Sequence, residues 1–286
     1  MSSSRYRAVK AYANPAFLNS KDARSLRILS EYLEPQTRLE QMEVRDTIAV
    51  FGSARIKSRE EADGLLAAAQ AAGDKAGIEA AERQVRVSKY YEQTRELCFR
   101  LTEWSKALEG TERRFVITSG GGPGIMEAAN RGASEAKGEN IGLNISLPFE
   151  QHDNPYITRR LSFEFHYFFM RKFWFSYLAK AMVIMPGGFG TLDEFLEIAT
   201  LVQTDKIKKA MPMVLFGKEY WDQVLNFQPM IDYGTISPGD PDLFFSTDSV
   251  DEAFEFITTS LERDVLAVEA KDAAVPELGL GLETEG

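Results

Sequence analysis

The sequence predicts an α/β protein with a single doubly wound, Rossmann-like domain, in which a mostly parallel sheet carries helices on both faces, preceded by an N-terminal helical arm. Two observations predict this fold class. Short apolar segments alternate with longer helical ones along the chain, as in βαβ units. Apolar segments such as AMVIM (181–185) and PMVLF (212–216) show no polar alternation, which is typical of strands buried on both faces of a parallel sheet.

The chain is expected to divide into three parts. Residues 1–45 form a polar, helix-permissive arm that packs on the body or on a neighbouring subunit. Four apolar side chains of the arm have roughly helical spacing: Leu26, Ile28, Leu29 and Leu33. Residues 46–263 are expected to form the Rossmann-like domain. Residues 264–286 contain few large apolar side chains, so we expect them to be disordered.

The first strand of the domain is predicted in DTIAVFGSAR (46–55), which ends in a Gly-Ser turn. A long stretch rich in Ala, Glu and Arg follows at 59–108 and is broken near AGDKAG (72–77). This composition predicts a helical hairpin, or two consecutive helices, inserted after the first strand.

The rest of the domain alternates strand and helix. Further strands are predicted in RRFVITS (113–119), NIGLNISLP (140–148), AMVIM and AMPMVLFG (210–217). Helices are predicted in IMEAANRGASEAKG (125–138), FHYFFMRKFWFSYLAK (165–180), TLDEFLEIATLVQTDKI (191–207) and KEYWDQVLNFQPMIDYG (218–234), and a last helix runs roughly from Ser249 to Arg263.

Composition excludes several classes of function. The 33 Lys and Arg residues against 43 Asp and Glu give a formal charge of −10, which argues against nucleic-acid or anionic-membrane partners. No apolar run approaches the roughly 18 residues of a membrane helix, and the N-terminus lacks a signal-like apolar stretch, so a cytoplasmic protein is expected. One cysteine, Cys98, and two histidines, His152 and His166, argue against a metal site or a histidine-based triad. We therefore expect neither a metal nor a cofactor.

Two glycine-rich segments each follow a predicted strand and open a helix. They are Ser119-Gly120-Gly121-Gly122-Pro123-Gly124 and Pro186-Gly187-Gly188-Phe189-Gly190-Thr191. Glycine lets backbone amides approach an anion closely, and the following helix adds its N-terminal donors, so a phosphate suits both segments. Neither fits the dinucleotide fingerprint, which needs glycine where Ile125 stands, or the Walker A pattern. The alternative is that the glycines only make tight turns.

The residues T-L-D-E after the second glycine segment match a capping box. Thr191 would then cap the helix while Glu194 returns to its backbone amide, and Asp193 and Glu194 would be purely structural. The functional alternative is that Thr191 binds phosphate and Glu194 faces the rest of the ligand. Glu127, one turn into the helix after the first glycine segment, carries the same ambiguity.

Arg171 and Lys172 lie in the middle of a helix that has little polar face. A cation in apolar surroundings needs an anionic partner, because leaving it unpaired costs several kcal/mol. Arg171 either reaches solvent or a structural ion pair, or it faces the ligand with a carboxylate such as Glu194 beside it. The aromatic residues of this helix are more typical of a core or a subunit interface than of a base-stacking platform.

These motifs resemble those of the LONELY GUY (LOG) family, often labelled "lysine decarboxylase". PGGFGTLDE fits the PGGxGTxxE signature, MRK fits the Arg-Lys pair that precedes it, and SGGGPGIMEAANRGA resembles the first glycine motif. The resemblance spans about Asp46 to Leu261 and favours a longer-type member, because of the arm and the 59–108 insertion. Family members hydrolyse the N-glycosidic bond of nucleoside 5′-monophosphates, among them AMP and cytokinin riboside monophosphates.

The resemblance implies catalytic roles for Arg171 and Glu194. It implies substrate contacts from the two glycine segments, together with Glu127 and Lys172 beside them. It also implies a homodimer or larger homo-oligomer with the site close to the subunit interface. The residues that we expect to contact substrate are Ser119, Gly120, Gly121, Gly122, Glu127, Lys172, Pro186, Gly187, Gly188, Phe189, Gly190 and Thr191.

A carboxylate near the ribose suits this chemistry, because breaking the bond builds positive charge on the sugar. We assign that role to Glu194. Arg171 is expected to orient Glu194 or to hold the phosphate or the leaving base through its charge, and Asp193, Glu127 and water are the candidates for protonating the base. The alternative is a non-catalytic protein of the same fold that binds a nucleotide or a molybdenum cofactor. A decarboxylase would need a lysine that binds pyridoxal phosphate, and Lys172 beside Arg171 is a poor candidate.

Overall fold

A seven-stranded, all-parallel sheet forms the centre of the protein, which confirms the predicted fold class. The computed structural model describes residues 8–110, 112–146, 154–207 and 211–274. The strands lie in the order β4-β3-β2-β1-β5-β6-β7. Their bounds are β1 Thr47–Phe51, β2 Val116–Ser119, β3 Asn140–Ile145, β4 Ser162–Phe165, β5 Ala179–Ile184, β6 Met213–Phe216 and β7 Phe244–Thr247.

Helices cover both faces of the sheet. The helices of the described residues are α1 Pro15–Leu18, α2 Arg24–Gln41, α3 Arg59–Ala72, α4 Lys75–Lys106, α5 Ile125–Glu135, α6 Phe168–Tyr177, α7 Phe189–Gln203, α8 Lys218–Val224, α9 Gln228–Asp232, α10 Val250–Leu261 and α11 Ala267–Ala274. No helix within the described ranges is both long and apolar enough to cross a membrane.

The sheet separates two hydrophobic cores. Strand β1 is entirely buried, with Ile48 and Val50 in the core beneath α4, α5 and α10, and Ala49 and Phe51 in the core beneath α2, α6 and α7. Because consecutive side chains of a strand point to opposite faces, the side chains of a strand between two helical layers are buried on both faces and are mostly apolar. This explains the uninterrupted apolar runs in the sequence.

The predicted helical hairpin at 59–108 is present as α3 and α4. Ser58 caps α3 by accepting a hydrogen bond from the backbone N–H of Glu61. The helix ends at Gly73, whose φ of 65° is the left-handed conformation that glycine adopts most easily. The structure therefore has the break between the two helices within the predicted segment, 72–77.

The N-terminal arm packs on its own chain through α2. The carboxylate of Glu31 accepts hydrogen bonds from the backbone N–H groups of His166 and Tyr167, just before α6. The indole of Trp174 in α6 donates to the backbone carbonyl of Glu31 at 2.9 Å. These bonds fix α2 against α6, which carries Arg171.

Several elements differ from the sequence predictions. The helix predicted at 218–234 is two short helices, α8 and α9, separated by an extended residue, Leu225. The edge strands β4 and β7 were not predicted, and the chain remains helical beyond position 263, through a π-helical turn at 262–266 and then α11. This part of the expected tail is ordered because Val265 is buried and Glu269 forms ion pairs with Arg45 and Arg114. The last twelve residues of the expected tail, the end of NIGLNISLP and His152 lie outside the described residues.

The capping box predicted at Thr191 is not formed. Helix α7 begins at Phe189, with Gly188 rather than Thr191 as its N-cap, and the first intrahelical bond joins the Leu192 N–H to the Gly188 carbonyl. Thr191 therefore lies in the first turn and Glu194 in the second, one turn too far to return to the cap. Gly187 allows this early start, because a side chain at that position would collide with Thr191 in the first turn.

Candidate active site

The strand order defines a switch point between β1 and β5. From β1 the chain moves outward through β2, β3 and β4, then returns to β5 on the other side of β1 and continues to β7. In such sheets ligands bind in the crevice at the carboxyl ends of the strands where the direction reverses. A cavity of about 880 Å³ lies at this point, lined by the loops after β1, β2 and β5.

The loop after β5 forms one wall of the cavity. All six residues from Pro186 to Thr191 line it, as does Glu194. The N–H groups of the first turn of α7 have no partner within the helix, so this end of the 15-residue helix is suited to an anion. The hydroxyl of Tyr220, which also lines the cavity, donates to the Gly187 carbonyl at 2.8 Å and fixes the loop. Phe189, 94% exposed, lies at the rim.

The loop after β2 contributes fewer residues than the sequence predicts. Gly120 and Gly122 line the cavity, whereas Ser119 and Gly121 do not. The Ser119 hydroxyl donates to the Val50 carbonyl at 2.7 Å within the sheet. Gly121 has a φ of 73°, and its carbonyl accepts hydrogen bonds from the backbone and side-chain amides of Asn154. Ser119 and Gly121 therefore hold the loop in place without lining the cavity.

Arg171 and Glu194 meet at the cavity from two different helices. Both line it. The Nε of Arg171 donates to the Leu143 carbonyl at the end of β3, at 2.8 Å. Any side chain at position 120 would collide with the guanidinium, so Gly120 makes room for it.

The charges of this pair are perturbed by burial. Glu194 is 8% exposed, and burial raises the pKa of its carboxyl to about 7, although the positive charges of Arg171 and Lys172 oppose the shift. Burial also lowers the pKa of Arg171, and the negative charge of Glu194 counters that effect. A buried carboxyl that titrates near neutrality beside a cavity is typical of a functional acid or base.

Lys172 and Glu127 lie behind the cavity wall. Lys172 forms ion pairs with Asp193 at 2.8 Å and with Glu197 at 2.7 Å, and it does not line the cavity. Glu127 also does not line it and accepts a hydrogen bond from the Tyr91 hydroxyl at 2.6 Å. Asp193 does line the cavity but is held by Lys172. The described residues contain no cluster of three side chains suited to a metal ion.

The sequence analysis missed the third wall, the loop after β1. Phe51 to Ile56 line the cavity, and so do Val87 and Tyr90 of the inserted helix α4. The sequence feature that could have indicated this wall is the Gly-Ser turn directly after the first strand. In a parallel sheet with β1 at the centre, such a turn lies beside the switch point, but only the strand order shows that β1 is central.

Comparison with known proteins gives one family and several distant structural neighbours. Residues 126–257 match the family model described as possible lysine decarboxylase. No curated protein matches the chain.

The similar solved structures include two proteins that handle the molybdenum cofactor (Moco). A Moco carrier protein from Chlamydomonas reinhardtii is 16% identical, with a TM-score of 0.45, and the match covers 76% of this chain and 98% of that one. A molybdenum cofactor binding protein from Rippkaea orientalis is 17% identical, with a TM-score of 0.42 and coverage of 59% and 86%. The structural-genomics target TM1055 is 19% identical, with a TM-score of 0.44 and coverage of 75% and 99%.

Proposed function

We propose that this protein is an N-glycosidase that acts on purine nucleoside 5′-monophosphates. It releases the free base and ribose 5-phosphate from AMP or from a cytokinin riboside 5′-monophosphate. The resemblance of its motifs to the LOG family and the match of residues 126–257 to the model described as possible lysine decarboxylase support this proposal. The observation that carries this proposal is that Arg171, Glu194 and both glycine loops line one cavity at the switch point of the sheet.

The glycine loops supply the phosphate subsite. The N-termini of α5 and α7 follow these loops, and each has first-turn amides without a partner inside the helix and the positive end of a helix dipole, although the Ile125 N–H of α5 donates to the Ser53 carbonyl. The phosphate of a nucleoside monophosphate carries a charge between about −1.5 and −2 near pH 7, which suits such donors. With the phosphate at these loops, the sugar lies toward Glu194 in the second turn of α7.

Glu194 supplies the chemistry at the sugar carbon. When the bond to the base breaks, positive charge develops on the ribose, and a carboxylate beside it stabilises that charge or activates the attacking water. Since the pKa of Glu194 is about 7, both its charged and its neutral form are present near neutral pH. The buried Arg171 orients Glu194 electrostatically, because its guanidinium stays charged.

Release of free base tests the proposal. Purified protein is incubated with AMP and with isopentenyladenosine monophosphate, with the corresponding ribosides as controls. We expect free base from at least one monophosphate, little from the ribosides, and a loss of about 100-fold or more in Glu194→Gln. Glu197→Gln is the matched control, one turn further along α7 and 40% exposed. No turnover of either nucleotide, or full activity in Glu194→Gln, contradicts the proposal.

A binding measurement beside this assay tests the alternative function, that of a non-catalytic protein that binds a nucleotide or the molybdenum cofactor. Tight binding of AMP or of the molybdenum cofactor without turnover would identify a non-catalytic carrier. Such a protein would use the same phosphate-binding loops, because that cofactor also carries a phosphate monoester.

The proposed enzyme is a homodimer or larger homo-oligomer that associates through the face formed by α2 and α6. This face has a groove of about 660 Å³ lined by Ser25, Ile28, Leu29, Tyr32, Phe169, Met170 and Phe173. Phe168, the neighbour of Phe169 on α6, lines the active-site cavity, so a subunit on this face would adjoin the site. We expect Leu29→Asp to shift the protein toward monomers in sedimentation velocity, and an unchanged oligomer contradicts this assignment.

A further inference from the structure

The loop after β1 connects the two glycine loops to each other. The Ser53 N–H donates to the Pro186 carbonyl in the loop after β5, and the Ser53 carbonyl accepts from the Ile125 N–H at the start of α5, both at 3.0 Å. Gly124 has a φ of 72°, and a side chain there would lie 2.5 Å from the Ser53 oxygen. The three loops therefore pack as one unit around the cavity, with Ser53 in the middle.

Arg55 is the second arginine of the cavity wall. Of the described residues that line the cavity, only Arg55 and Arg171 carry a positive charge. Arg171 is buried, is hydrogen-bonded to Leu143 and faces Glu194, so its charge is already balanced. Arg55 is exposed, and only its backbone N–H is engaged, by the Ser53 hydroxyl at 3.1 Å. Its guanidinium has no hydrogen bond or ion pair to any residue that the structure describes.

The charge of the cavity is too low for a phosphate dianion without Arg55. The amides at the two helix N-termini act as about half a positive charge each. The carboxylates of Asp193 and Glu194 line the same cavity, and Lys172, which balances Asp193, lies outside it. A phosphate monoester therefore needs a full positive charge at the loops, and a guanidinium provides one in a geometry that matches two phosphate oxygens.

We propose that Arg55 is a specificity-determining residue that binds the phosphate of the substrate between the two glycine loops. This inference rests on the proposed function, because it assigns a further contact within the same site. Arg55 selects the phosphorylated substrate over the riboside and leaves the chemical step at Glu194 unchanged.

Arg55→Ala tests the proposal through the split between KM and kcat. A charge-assisted hydrogen bond of about 1.5–3 kcal/mol corresponds to a rise of about 10- to 100-fold in KM for AMP. We expect kcat to change less than about threefold and the slow rate with adenosine to stay the same. Arg55→Lys should restore part of the affinity, since lysine keeps the charge but loses the two-pronged geometry. Arg59→Ala is the matched control, because Arg59 pairs with Asp63 outside the cavity.

A binding measurement separates this inference from the proposed function. Calorimetry with ribose 5-phosphate needs no turnover, and we expect at least a tenfold weaker affinity in Arg55→Ala than in Arg59→Ala. If the wild-type protein binds ribose 5-phosphate but cleaves no nucleotide, the proposed function fails while the loss in Arg55→Ala still supports the phosphate contact. Equal affinities in the two variants, or no binding to the wild-type protein, overturn the inference.

Discussion

Replacing Glu194 with glutamine is expected to remove a large part of the pH dependence of stability near neutrality. Burial raises the pKa of Glu194 from 4.5 to about 7 in the folded protein. The folded state therefore holds this proton more tightly than the unfolded chain does. The stability that results is fully present below about pH 4.5 and is lost as the pH rises through about 7.

The size of the effect follows from the two pKa values. The difference of 7 − 4.5, about 2.5, corresponds to roughly 3 kcal/mol in the free energy of unfolding. Of this, about 2.5 kcal/mol falls between pH 5 and pH 8. The glutamine variant lacks the titrating group, so its free energy of unfolding, relative to wild type, should rise by that amount across this range. Any cost of leaving Arg171 without its carboxylate is the same at both pH values and cancels.

Urea unfolding at about pH 5, 6, 7 and 8 measures this difference for wild type, Glu194→Gln and Glu197→Gln. Glu197→Gln keeps the titrating Glu194, so its curve should retain the wild-type shape, moved to lower pH because the charge of Glu197 raises the pKa of Glu194. Parallel curves for wild type and Glu194→Gln would refute the reasoning, because they would mean that Glu194 titrates at the same pH in both states.

Three further predictions concern the surroundings of this acid and the frame of the sheet. Lys172→Met should move the titration of Glu194 to higher pH, because the positive charge of Lys172 lowers its pKa; an unmoved inflection in the pH–rate profile contradicts this. Gly187→Ala should weaken ribose 5-phosphate binding at least tenfold in calorimetry, since the new methyl group collides with a threonine of α7; unchanged affinity counts against the loop. Asp46→Asn should cost about 3 kcal/mol in urea unfolding, because the fully buried carboxylate pairs with Arg114 at 2.7 Å; a cost below about 1 kcal/mol would show that the pair contributes little.

The sequence predicts the central strands of the sheet better than its edges. Strands β1, β5 and β6 lie inside the sheet and contain the buried apolar runs IAVF, AMVI and MVLF. The edge strands β4 and β7 have only four residues each, SFEF and FFST, and each has a partner on one side only. A four-residue strand in which half of the side chains are polar carries no apolar run that separates it from a loop, unlike the equally short MVLF of β6.

The sequence predicts which segments approach the cavity but not which residues of a segment face it. Gly120 and Gly121 are the same residue type in the same motif. Gly120 nevertheless lines the cavity, whereas the carbonyl of Gly121 is hydrogen-bonded to Asn154, 33 residues further along the chain. The pattern at Thr191 is chemically able to cap a helix, but Gly188 precedes it and starts the helix earlier. In both cases the outcome depends on contacts that are distant in sequence or on room in the backbone, which local patterns do not contain.

The hydrogen bonds of Ser53 have a consequence for how a ligand enters. The amides of both glycine loops keep fixed positions relative to one another, because the backbone N–H and C=O of the same residue, Ser53, hold the Pro186 carbonyl and the Ile125 N–H. A ligand thus meets a preorganised set of donors, and little conformational entropy is lost in arranging them. Thermal displacement of one loop also moves the other, so protection of these amides from hydrogen exchange should be gained together on binding rather than loop by loop.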